Sequence, residues 1–327
     1  MRRRRFIAGL GAAVALPFPA RAQRQGKTPV VGLLGAGSAQ GYAAEVAAFH
    51  AGLAEAGFIE HQNVSIEYRW ADDQLDRLPG LAADLVRQQV SVIVSAGGTA
   101  TALAAKAATP TIPIVFSVGG DPVKAGLVAS LNRPGANITG VTAFSDLLIT
   151  KRFELARDFV PQGAAIAYLL NPNSPNSAMR EKDVRDAARV INREIRISFA
   201  AATEQFDGVF ARLAQEKIGA IIPADDPLFT NGGAQLVAAA ARHAIPVIYQ
   251  YRQFPVAGGL MSYGPKLEDN YHQVGIYVGR ILKGEHPADL PVMRSSKFTL
   301  IINLKTAQTL GLTVPPTLLA RADEVIE

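Results

Sequence analysis

The chain has 327 residues, 49% of them hydrophobic and 19% charged, which excludes a disordered protein and suits two packed units better than one core. Its formal charge of +5 sits in Arg2, Arg3, Arg4, Arg5 and Arg21; without these five, 28 basic residues face 28 acidic ones, so the body has no phosphate-seeking field and no nucleic-acid partner is expected. The absence of cysteine excludes disulfides, thiolate metal sites, cysteine nucleophiles and a lipid-modified N-terminal cysteine.

The opening stretch MRRRRFIAGLGAAVALPFPARA (1–22) reads as a cleaved export signal: a basic head, an apolar run and small residues at Ala20 and Ala22. The run is too short to span a bilayer, which needs roughly 20 apolar residues. Its arginines fit both the twin-arginine and the general export routes. The expected location is the periplasm, with the mature protein soluble and not lipid-anchored.

From Pro29 onward, short apolar runs alternate with segments of helical period. VVGLLGA (30–36) predicts a strand, and Val46, Phe49, His50 and Leu53 mark one face of the following helix. NVSIEYRWA (63–71) predicts a strand, and Leu78, Leu81 and Leu85 the next helix. VSVIVSAGG (90–98) and TIPIVFSVGG (111–120) predict strands ending in small residues, with an alanine-rich helix between them. After LNRPGANITG (131–140), a Pro/Gly-rich crossing, the rhythm restarts with AAIAYLLN (164–171), a helix over 177–192 and REIRISFA (193–200). Phe206, Val209, Phe210 and Leu213 share a helix face, and IGAIIPADD (218–226) and IPVIYQ (245–250) predict strands. GGLMSYG (258–264) reads as extended, Leu267, Tyr271, Val274, Val278 and Ile281 as a helical stripe, and KFTLIINL (297–304) as a last strand.

This is the βαβ rhythm of parallel sheets covered by helices. The expected fold is α/β, with two doubly wound parallel-sheet lobes joined by a multi-strand hinge. The expected first lobe is 28–143 plus about 257–292, and the second 144–256 plus about 293–327. Ligands of open α/β sheets sit beyond the C-terminal ends of the strands. The loops there, 35–41, 95–101, 116–122, 171–176, 223–229 and 249–254, are all rich in small, polar or tyrosine residues.

Catalytic patterns are weak by comparison. Gly35-x-Gly37 followed by Gly41 has one residue too many for a dinucleotide fingerprint, no Gly-x-Ser-x-Gly occurs, and the five histidines show no metal-ligand spacing. Asp121 before Pro122 suits a helix cap with proline in the first turn, with ligand contact open; as a phosphoryl acceptor it would need partners that do not appear. Of Asp225-Asp226, neighbours at a strand end, one is expected to cap the next element and the other to face the cleft; a hydrolase using Asp121 or Asp225/Asp226 is the enzyme alternative. Tyr249, Tyr251, Phe254 and Tyr263 offer aromatic walls for a small ligand or, equally, hinge packing.

Four long motifs carry a resemblance: EYRWADDQLDRLPGLAADLV (67–86), VGGDPVKAGLVASLNRPGANITGV (118–141), IPVIYQYRQFPVAGGLMSYGP (245–265) and KFTLIINLKTAQTLGLTVPPTLLARADEVIE (297–327). They resemble ABC-transporter substrate-binding proteins of the family related to the tryptophan-uptake binding protein. The resemblance implies a type I periplasmic-binding-protein fold, no catalytic activity and no cofactor. It implies capture of a small carboxylate-bearing solute (an aromatic or other amino acid, or an aromatic acid) by a monomer that delivers it to an ABC permease and ATPase. A sensor presenting the same ligand to a membrane receptor is the alternative. The family's ligand loops carry over to Ser38, Gly98, Thr99, Ser117, Asp121, Asn171, Ser174, Asn176, Asp226, Tyr249 and Tyr251. Two departures stand out: TNGGAQ (230–235) lacks the arginines many relatives carry there, and Ala136 replaces a usual glycine.

Overall fold

A computed structural model describes residues 28–327 apart from 159 and 162, so the expected export signal lies outside the described residues. The first half winds β1 (Val30–Gly35), α1 (Ala43–Glu55), β2 (Ser65–Trp70), α2 (Leu78–Arg87), β3 (Val92–Ala96), α3 (Thr99–Ala108), β4 (Ile114–Val118) and β5 (Ile138–Thr142). Strands β3, β4 and β5 are buried along their whole length, as expected of parallel strands covered on both faces. The second half winds α4 (Ile149–Arg157), β6 (Ile166–Leu170), α5 (Ser177–Ile191), β7 (Ile195–Phe199), α6 (Phe206–Gln215), β8 (Ala220–Pro223), α7 (Pro227–Asn231), α8 (Gly233–Arg242), β9 (Ile248–Tyr249) and α9 (Gln253–Val256). The chain continues through β10 (Met261–Pro265), α10 (Leu267–Leu282), β11 (Met293–Arg294), β12 (Phe298–Asn303), α11 (Leu304–Thr309), α12 (Pro316–Leu319) and β13 (Glu324–Ile326).

The first sheet has six strands in the order β11-β5-β4-β3-β1-β2, with every pair parallel. In the second half, β7-β6-β8 and β13-β12-β10-β9 meet at one parallel bridge, Ile221 to Val247. Among the described residues, only the β10–β12 pair there is antiparallel. Among the described residues, no helix is long and apolar enough to cross a membrane.

The chain passes between the sheets three times: after β5, between β10 and α10, and between β11 and β12. The second passage falls later than the expected position near 257, because Met261–Pro265 forms backbone ladders with β9 and β12. The third falls later than 293, because Met293 and Arg294 pair with Val141 and Thr142 at the edge of the first sheet. Helix α10 then completes the first half: Val274, Val278 and Ile281 join the core formed by Val31, Phe49 and Val94.

Two glycines bring α1 and α10 into backbone contact. A Cβ at Gly52 would lie 1.9 Å from the His272 carbonyl oxygen, and one at Gly275 would lie 2.3 Å from that of Phe49. Backbone cannot yield as a flexible side chain does, so Gly52→Ala should separate the helices. We expect a loss of about 1–3 kcal/mol, the usual range for overpacking, read as a lower thermal midpoint with the ligand-binding stoichiometry retained.

The histidines have structural surroundings. His50 Nε2 lies 2.8 Å from the Tyr68 hydroxyl, and His272 Nε2 lies 3.2 Å from Glu55.

Candidate ligand cleft

The C-terminal ends of the strands in both halves face one cleft. From the first half come Gly97 and Gly98 after β3, Thr99 and Ala100 of α3, and Ser117 and Gly119 around the end of β4. From the second come Ser174 and Asn176 before α5, Arg180 within it, Asp225 and Asp226 after β8, and Tyr251 after β9. Gly97 and Gly98 have φ of +99° and +96°, a region glycine enters without steric cost. A Cβ at Gly97 would also stand 2.8 Å from the Tyr42 hydroxyl, so glycine lets this tyrosine reach the cleft.

Two helices begin at this cleft without a side-chain cap. Gly98 precedes α3 and has no side chain to cap it, and Asn176 precedes α5 without its side chain bonding the first-turn amides. Uncapped first-turn N–H groups and the helix dipole favour an anion. The two ends are linked directly: Asn176 Nδ2 donates to Thr99 Oγ1 at 3.1 Å, with both residues buried. Thr99→Val removes that acceptor and should lower ligand affinity about two- to tenfold, the worth of one such hydrogen bond. Isothermal titration of the variant against the wild type checks it.

Asp225 has its own set of donors. The Tyr251 hydroxyl donates to Oδ1 at 2.5 Å, Ser145 Oγ donates to Oδ2, and Arg180 Nη1 donates to the Asp225 carbonyl at 2.5 Å. The Ser145 backbone amide donates to the Gly119 carbonyl at 2.8 Å, tying Asp225 to the end of β4. A third link across the cleft joins Asn231 Nδ2 to Asp73 Oδ1. Burial raises the pKa of Asp73, and the Asn231 amide opposes that shift.

Three tyrosines line the cleft: Tyr42, Tyr251 and Tyr271. Tyr42 meets Trp70 at 5.6 Å between ring centroids and Tyr271 edge-on at 6.4 Å. Burial pushes all three phenols above their ordinary pKa; the charge of Asp225 adds to this at Tyr251, and hydrogen bonding to Gly97 and Ser117 opposes it at Tyr271. All three stay protonated at neutral pH, able to donate hydrogen bonds and present apolar ring faces.

Of the residues expected from the sequence, Gly98, Thr99, Ser117, Ser174, Asn176, Asp226 and Tyr251 line the cleft. Four lie elsewhere. Ser38 is exposed and accepts from the Gly41 amide. Asp121 accepts from the amides of Val123 and Lys124, but the segment that follows is a turn, not the expected helix. Asn171 is buried behind the cleft and donates to Asp226 at 3.0 Å. Tyr249 is fully buried and stacks on Phe254 at 4.5 Å, so this ring packs the second half.

The division of labour expected within Asp225-Asp226 is present. Asp226 caps α7 through the Leu228 amide, and Asp225 presents its carboxylate among the hydroxyls. Tyr42, Tyr271 and Arg180 are cleft residues that the sequence did not place in the site. Arg180 is a buried cation contributed by α5, in a chain lacking arginines at 230–235.

The model of the family described as ABC transporter substrate binding protein matches residues 33–326. A tyrosine-binding protein of Clostridioides difficile is 26% identical over 260 residues, covering 80% of this chain and 74% of that one. A crystal structure of a conserved domain protein from Vibrio cholerae superposes with a TM-score of 0.85 at 27% identity, covering 91% of this chain and 100% of that one. An ABC domain from Streptococcus pneumonia in complex with L-Trp gives 0.83 at 25% identity, covering 92% and 100%. The chain belongs to the ABC transporter substrate binding protein family.

Proposed function

We propose that this chain captures a free α-amino acid outside the inner membrane, in the periplasm, and hands it as a monomer to an ABC permease and its ATPase without catalysing a reaction. The observation that carries this reading is the pairing of opposite electrostatic features in one cleft. The uncapped starts of α3 and α5, joined through Asn176 and Thr99, suit a carboxylate, and the Asp225 carboxylate suits an ammonium group. Tyr42, Tyr251 and Tyr271 supply ring surface for the side chain. The tyrosine-binding and L-Trp-bound relatives put aromatic amino acids first among those to test.

Capture proceeds by closure. Ligand contacts to loops of both halves favour the conformation in which the cleft-crossing bonds form. The three chain passages between the sheets confine the motion to a few backbone torsions. Isothermal titration against the common amino acids and their deaminated acids is the direct test. Saturable one-to-one binding of at least one amino acid is expected, and failure of the whole panel to bind or to raise the thermal midpoint overturns the reading.

A further inference from the structure

A second cavity, of about 510 Å³, adjoins the ligand cleft, whose own volume is about 70 Å³. The two spaces share Tyr251 and Leu267 in their linings. Tyr251 is fixed by its bond to Asp225. Leu267, the first residue of α10, is only partly buried and packs by apolar contact alone.

The larger cavity has a definite chemical character. Val256, Pro265 and Ile301 give it apolar surface. Glu45, in the first turn of α1, lines it at 5% exposure, and among the described residues no ion pair reaches its carboxylate. Burial and the neighbouring charge of Glu268 both raise its pKa, while hydrogen bonding to its own backbone opposes them. Both cations in the lining face other carboxylates: Arg252 makes a bidentate pair with Glu324 at 2.7 and 2.6 Å, and Lys266 Nζ lies 3.8 Å from Asp269. The unmet demand here is for a cation at the end of an apolar stem.

We infer that Leu267 determines the length of ligand the protein accepts, by separating the amino-acid cleft from a distal chamber suited to a long side chain ending in a cation. This inference rests on the amino-acid reading above. With leucine in place, the side chain of a bound amino acid ends at the Leu267–Tyr251 wall. With a shorter residue, the stem passes between the cavities and its cationic end meets Glu45.

The test compares wild type, Leu267→Ala and Leu267→Ala/Ala257→Trp by calorimetric titration with arginine and with the amino acid the wild type binds best. In Leu267→Ala, affinity for arginine relative to that reference should rise at least about tenfold, a change of about 1.4 kcal/mol. Ala257 is exposed and lines the chamber, so tryptophan there should fill it and reverse the gain without disturbing the core. Glu45→Gln in the Leu267→Ala background should remove the gain for arginine while keeping any gain for norleucine. Leu267→Val takes alanine's place if the shorter side chain lowers the thermal midpoint below assay temperature. An unchanged ratio in a folded variant, or a gain that survives Ala257→Trp, overturns the inference. A wild type that binds no amino acid overturns the reading beneath it and the inference with it.

Discussion

Replacing Gly119 with alanine should leave the protein folded and remove most of its ligand affinity. The residue sits at the end of β4, where its φ lies outside the left-handed region, so alanine meets no backbone strain. Its Cβ, however, would lie 2.0 Å from Asp225 Oδ2 and 3.0 Å from Ser145 Oγ. Asp225 cannot easily retreat, because Tyr251, Ser145 and Arg180 hold its carboxylate and carbonyl. In an open conformation the extra methyl would face solvent and cost little. The penalty therefore falls on closure, and overpacking of about 1–3 kcal/mol corresponds to roughly a five- to 150-fold rise in Kd. Gly80→Ala, in α2, is the natural control. Its Cβ would meet nothing within 4 Å, so Kd should stay at the wild-type value. Equal Kd values for Gly119→Ala and wild type would remove Gly119 from the closing surface.

Asp225→Asn should have the larger effect, but only on ligands with an ammonium group. Loss of one partner from a desolvated charge pair costs about 2–5 kcal/mol, or roughly thirty- to several-thousandfold in affinity. A deaminated acid of the same side chain still offers its carboxylate to the starts of α3 and α5 and should be weakened far less. The comparison separates two roles. If amino acid and deaminated acid weaken equally, Asp225 serves only to position Tyr251 and Ser145. If the amino acid alone suffers, Asp225 is the ammonium partner. Thermal midpoints without ligand show whether loss of the charge also loosens the second half.

Much of the architecture was legible in the residues because parallel strands announce themselves as short apolar runs separated by helical periods. Runs such as VSVIVSA and AAIAYLL match β3 and β6 closely. The chain passages were harder to read. GGLMSYG has no feature marking which sheet it joins, and only the ladders to β9 and β12 decide it. Strand β11 is two residues long, too short for any periodicity.

The cleft was legible as a set of loops and less so as a set of side chains. Small and polar strand ends pointed to Gly98, Thr99, Ser117 and Asn176, all of which lie in the cleft lining. Tyr271 was hidden because it lies on the apolar stripe of α10, where a buried tyrosine reads as core. Arg180 was hidden because a cation in the first turn of a polar helix reads as surface. Tyr249 was misleading for a specific reason. In a continuing strand it would share a face with Tyr251, but β9 ends at Tyr249 and the chain turns, so one ring enters the core and the other the cleft.

The interleaving of the two halves also bears on how the chain acquires its structure. The first sheet takes its edge strand from Met293 and Arg294, about 150 residues after the strand it pairs with, and the second takes its own from Glu324–Ile326. Contacts this distant along the sequence slow folding and prolong the exposure of apolar strands. Removal of even the final short strand should uncover the β12 edge and shift newly made protein toward aggregation rather than yield a smaller working receptor.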